Sequence, residues 1–128
     1  MCIIDTGNNR IIQILAKGTI LYGTGWNSPI ALVFDSTSGN LYVSDYNFGL
    51  SKVAPSNGAI STYYGKKNAY NPSLCLTSHN CIIGLAVDSS SGVLFASNPA
   101  TYQIIAIASN DGDVTTIARY FIIIIIIF

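Results

Sequence analysis

The feature that most constrains this 128-residue chain is that it repeats itself. SGNLYVSD at 38–45 returns as SGVLFASN at 91–98, and the match extends in both directions. Asp35 corresponds to Asp88, Gly39 to Gly92 and Asp45 to Asn98, all at a spacing of 53 residues. Farther on the spacing is 54, so Val53 corresponds to Ile107 and Gly58 to Gly112. A loop between strands absorbs a one-residue insertion of that kind. The segment 2–23, CIIDTGNNRIIQILAKGTILYG, aligns with the back half of the central unit about 40 residues later. Asp5 then falls on Asp45 and Gly18 on Gly58. The period is therefore near 40, and the wider second interval holds an insertion, KKNAYNPSLCLTSHN, at 66–80.

Each unit has the grammar of four short strands. In the central one they are expected near 31–34, 41–44, 50–54 and 60–64. Between them lie DSTSGN, DYNFG and PSNG, which carry the Asp, Asn, Ser, Pro and Gly that tight turns need. Gly39, Gly58, Gly92 and Gly112 stand where such turns require positive φ. Eight Tyr and five Phe among Ile, Val, Ser and Thr make a β-forming vocabulary without a long helix-forming run. The first strand of a unit (ALVF, GLAV) is nearly continuous in apolar residues, as expected of a strand covered on both faces. A four-stranded antiparallel meander recurring every 40 residues or so is the signature of a β-propeller blade. A β-sandwich could have strands at this spacing, but it gives no reason for the whole pattern to recur.

The expected fold class is thus all-β, with about two and a half propeller blades and an incomplete ring. Residues 1–23 form the C-terminal half of a blade, and 24–65 a complete one. An insert loop occupies 66–81, a second complete blade 82–120, and an isoleucine tail 121–128.

Composition narrows the function classes. Six basic residues offset six acidic ones, and Lys66-Lys67 is the single adjacent basic pair, so the counterion release that drives nucleic-acid binding has no source. No P-loop, dinucleotide-binding glycine pattern or G-x-S-x-G nucleophile motif is present, and no cofactor is expected. The carboxylates are Asp5, Asp35, Asp45, Asp88, Asp111 and Asp113, without a Glu. Acids that recur at one place in each unit are expected to serve turns, by accepting backbone N–H bonds, rather than catalysis or calcium. Asp111-Gly112-Asp113 reads as a hairpin turn. Cys75 and Cys81 in the insert can pair in an oxidising compartment or stand as two thiols. With His79 they lack the paired spacing of a zinc site, so no metal is expected. MCIIDTGNNR has neither the basic start nor the apolar run of a signal peptide.

The motifs P-x-x-[LV]-x-x-D, G-N-L-Y-V-[AS]-D, N-x-R-I and G-x-[IV]-x-T-x-x-G resemble the NHL repeat. DTGNNRIIQI at 5–14 is the nearest stretch, followed by PIALVFDSTSGNLYVSD at 29–45, and the resemblance spans 1 to about 120. It implies a closed propeller of about six blades, a recognition scaffold for a protein or small ligand. Two departures stand out. The Asn-Asn-Arg-Ile of 8–11 is replaced by Asn-Phe-Gly-Leu at 47–50 and by Ala-Thr-Tyr-Gln at 100–103, and the recurrent Asp becomes Asn98 in the last unit. An NHL-like enzyme group that cleaves peptidyl-hydroxyglycine needs several metal-binding histidines, and this chain has one.

Two and a half units cannot close a ring, so further blades are expected, in cis within a longer protein or by oligomerisation. Specificity is expected in the insert, where Tyr70 and His79 are the candidate binding residues. Rival expectations are a six-bladed hydrolase or lactonase with catalytic residues in other blades, and an extracellular sensor of a membrane receptor. FIIIIIIF at 121–128 is too short to span a membrane, which takes roughly 20 apolar residues. It is read as low-complexity non-coding sequence translated past the end of the repeat, with a truncated membrane helix as the alternative.

Overall fold

The computed structural model describes residues 1–15, 18–22, 25–46, 49–64, 82–108 and 114–119. The first sheet contains β1 (Cys2–Asp5), β2 (Arg10–Leu15) and β3 (Gly18–Tyr22), in that order. The second contains β4 (Pro29–Phe34), β5 (Leu41–Asp45), β6 (Gly49–Val53) and β7 (Ile60–Tyr64). The third contains β8 (Gly84–Asp88), β9 (Val93–Asn98), β10 (Gln103–Ile107) and β11 (Val114–Arg119). Every pairing is antiparallel and joins strands consecutive in sequence. These are the blades of an incomplete β-propeller. The strands expected from the central unit all form, with Pro29, Ile30, Asp45 and Gly49 added at their ends and Ala54 left to the turn.

Turn chemistry explains why the chain reverses where it does. Gly39, Gly58 and Gly92 take φ values of 73°, 68° and 73°. Their N–H groups donate to the carbonyls of Asp35, Ala54 and Asp88 at 2.8, 3.0 and 2.7 Å. An L side chain would be strained at that φ. A built Cβ on Gly39 would also meet Pro55 at 3.3 Å, so one turn crowds the next. Gly112 lies outside the described residues. Register shifts fall at Leu50/Ser51 in the second blade and at Ile104/Ile105 in the third, which are equivalent places in the repeat.

Register also assigns the faces. In the central blade Leu41, Val43 and Val53 share one face, and Tyr42 and Leu50 share the other. The first group packs with Ile11 and Trp26 of the preceding segment, and with Cys2, Leu32 and Ile60 at its margin. The second packs with Ile82, Leu94, Ala96, Ile105 and Ile107 of the next blade. The central blade is therefore covered on both sides, and β5 is buried along its whole length. Its polar Ser44 accepts the Ala31 N–H at 3.1 Å, so burial leaves it paired. Fully burying a side chain such as Leu50 or Ile107 contributes about 1.5–3 kcal/mol, so each inter-blade layer is a core of its own. Across the layers β1 touches β4, and β4 touches β8.

Candidate functional site

The meander places turns on two rims. The β4–β5, β6–β7 and β8–β9 turns share one rim, and the β1–β2, β5–β6 and β9–β10 turns share the other. The recurrent acids divide between them, Asp35 and Asp88 on the first and Asp5 and Asp45 on the second.

On the first rim, Asp35 accepts the Thr37 N–H at 3.1 Å and the Ser38 hydroxyl. The Ser38 bond is the main reason its carboxyl titrates below the ordinary range, opposed by burial and supported by the Thr37 N–H and Ser89. Asp88 holds the same place one repeat later. It accepts the Ser90 N–H at 3.0 Å and the Ser90 and Ser91 hydroxyls at 2.6 Å each. Those two hydroxyls, Ser90 first, bring its pKa down to about 2. The turns also touch each other, because the Ser36 N–H donates to Ser89 Oγ at 3.2 Å. Nearby, burial raises the Tyr42 pKa, with the charge of Asp35 as a second cause. The Tyr42 ring meets Tyr63 edge-on with centroids 5.0 Å apart, and the Tyr63 hydroxyl donates to the Ala108 carbonyl at 2.9 Å.

On the second rim, Asp5 accepts Arg10 Nε at 2.6 Å and the Asn8 amide at 3.0 Å on each oxygen. Arg10, then Asn8, lower its pKa. The turn after Asp45 includes residues 47 and 48, which lie outside the described residues, and one partner of Asp45 lies beyond that turn. Buried at 1% exposure, Asp45 accepts the Asn27 N–H at 2.6 Å and so holds the linker that enters its blade. Asn98, its counterpart, caps its own turn by accepting from the Ala100 and Thr101 N–H groups at 3.0 and 3.3 Å. Two further bonds tie the first blade to the second. Thr6 Oγ1 donates to the Pro29 carbonyl at 2.8 Å, and the Ser28 N–H donates to Asn9 Oδ1 at 2.8 Å. Asn9 and Ser28 both take positive φ, 51° and 69°. Asn tolerates that conformation better than most residues.

Sequence reasoning assigned no contact to Asn9, Asn27, Ser28 or Ser89. Signals existed for Asn9, which stands in the Asn-Asn-Arg-Ile motif of 8–11, and for Ser89, since Asp35-Ser36 and Asp88-Ser89 repeat as a pair. Tyr70, His79, Cys75 and Cys81 lie outside the described residues, as do Asp111 and Asp113. The strands that the insert joins do end and begin on the second rim, where β7 finishes and β8 starts.

Chemically, the described carboxylates are occupied. Asp5, Asp35 and Asp88 are held ionised by donors on their own turns, and this suits neither a general acid at neutral pH nor a base poised near 7. Among the described residues, no group of three or more His, Cys, Asp or Glu could hold a metal ion. Among them too, no helix is long and apolar enough to cross a membrane.

No family model matches the chain. No curated protein matches it either. Among solved structures it is similar to the crystal structure of virginiamycin B lyase from Staphylococcus aureus, a seven-bladed propeller, at a TM-score of 0.65 and 15% identity. The match covers 90% of this chain and 36% of that one, so the chain spans about a third of that protein's length. At this identity the likeness shows the fold alone.

Proposed function

We propose that this chain is a non-catalytic, NHL-type portion of a propeller, with turns that form a recognition surface for a protein or small ligand. The observation that carries this is the saturation of Asp5, Asp35 and Asp88 by donors within or beside their own turns. Acids used in this way make turns rigid, and rigid turns on a stacked scaffold present side chains without losing much entropy on binding. Specificity is assigned to the insert 66–81, through Tyr70 and His79, with Cys75 and Cys81 able to staple the loop. In the resembling family a ring has about six blades, so a closed ring would need more blades than this chain supplies, in cis or from further copies.

The competing function is a share in a hydrolase or lactonase whose catalytic groups sit in other blades. Replacing residues 66–80 with a short Asn-Gly turn tests whether the insert is separable from the fold, and crosslinking and turnover distinguish the two functions. The proposal expects the variant to keep its β-sheet circular dichroism. A photo-crosslinking residue placed at Tyr70 of the intact chain should capture a discrete species that the same residue at Phe34 does not. Turnover of a panel of lactones and aryl esters by the purified chain, reduced by Asp35→Asn or Asp88→Asn without loss of fold, would contradict it.

A further inference from the structure

The two outer faces of the stack repeat, residue for residue, faces that are buried inside it. On the far side of the third blade, register puts Phe95 and Ile104 on one face with Ala86 and Ala106. Phe95 is the repeat counterpart of Tyr42, and Ile104 that of Leu50. Tyr42 and Leu50 are 2% and 0% exposed, whereas Phe95 and Ile104 are 36% and 40% exposed. On the near side of the first blade, Ile3, Ile12 and Ile14 share a face. Ile3 corresponds to Val43 and Ile14 to Val53. The central-blade pair is 0% and 1% exposed, and Ile3 and Ile14 are each 39% exposed.

The structure thus contains two kinds of face and mates them twice. A Tyr42/Leu50-type face of one blade meets a Val43/Val53-type face of the next at both internal layers. Among the described residues, one face of each kind carries exposed apolar side chains, at opposite ends of the stack. The third-blade face has alanine at 106 where the second has Lys52, and on the first-blade face the Arg10 charge is paired with Asp5. We infer that a second copy of this chain docks head to tail, its Ile3/Ile12/Ile14 face on the Phe95/Ile104 face of the first. The contact continues an interface already made twice within the chain. It is heterologous, so it propagates into a ring or a short array. It rests on the propeller stacking and is independent of what the turns recognise.

Sedimentation velocity on the full chain and two double variants tests this. The wild type should show concentration-dependent mass above 13.7 kDa. Ile3→Lys/Ile14→Lys and Phe95→Lys/Ile104→Lys should each sediment as monomers. An equimolar mixture of the two should form a 1:1 dimer, because each variant keeps the face that the other lacks. That complementation also shows that both variants are folded. Should a Lys variant lose its β-sheet circular dichroism, the Ser versions of the same pairs carry the same expectations. A wild type that stays monomeric overturns the proposal. So do variants that still self-associate, which would assign association to 121–128 or another surface, and folded variants that fail to pair when mixed.

Discussion

The Ser36 N–H donates to the Ser89 hydroxyl across 3.2 Å, joining two residues that hold the same place in successive repeats. Residues 53 positions apart become neighbours because blades stack in register, and each turn lies against its own counterpart. Ser89 also helps to hold Asp35 ionised, so one hydroxyl serves a backbone donor and a carboxylate of the adjoining blade. Ser89→Ala should cost about 0.5–1.5 kcal/mol, the usual worth of a hydrogen bond. Urea titration measures it, and Ser36→Ala, which keeps its N–H, should be nearly silent.

Acid should loosen the turns in a defined window. Asp88 has a folded pKa of about 2, against an ordinary value of 3.8. A depressed carboxylate stabilises the fold fully above the unfolded pKa, and that contribution is lost as pH falls through the folded one. Asp5 and Asp35 act with the same sign. The urea midpoint should therefore be level near neutral pH and fall between about pH 4 and pH 2. Asp88→Asn should flatten part of that fall, and an unchanged profile would show that the serine bonds do not favour the carboxylate.

Asp45 and Asn98 occupy one repeat position, where Asp45 accepts the linker N–H of Asn27 and Asn98 accepts from the turn that follows it. Asp45→Ala leaves a part-buried N–H of Asn27 without this acceptor and should cost about 1–3 kcal/mol. Asp45→Asn keeps an acceptor oxygen and should cost less than the alanine variant. Thermal unfolding of the two side by side reads the difference.

Most of the fold was legible in the sequence because the repeat is written in residues with local consequences. Gly39, Gly58 and Gly92 mark positive φ, and the apolar runs mark β4 and β8 as strands, although β4 is exposed at Ile30 and Phe34 and the strand covered on both faces is β5. The Asp35 and Asp88 turns follow the same local rule. The bond from Asn27 to Asp45 was not legible. It comes from a linker in the preceding stretch of chain, and a repeat pattern carries no signal of how that linker packs. The Asn9–Ser28 and Thr6–Pro29 ties were hidden for the same reason, since they depend on how two blades meet. Periodicity likewise could not separate Leu50 from Ile104. Both occupy one position of the pattern, and only the stacking order buries one and exposes the other.

That last pair offers the most direct test of the stacked-blade account. Leu50→Ala and Ile104→Ala should be compared by urea unfolding at a concentration where the chain is monomeric. Leu50 lies in the layer between the second and third blades and is 0% exposed, so its loss should cost about 2–5 kcal/mol. Ile104 is 40% exposed on the far face of the third blade, and its loss should cost less than about 1 kcal/mol. Equal losses at the two positions would contradict the stacking order.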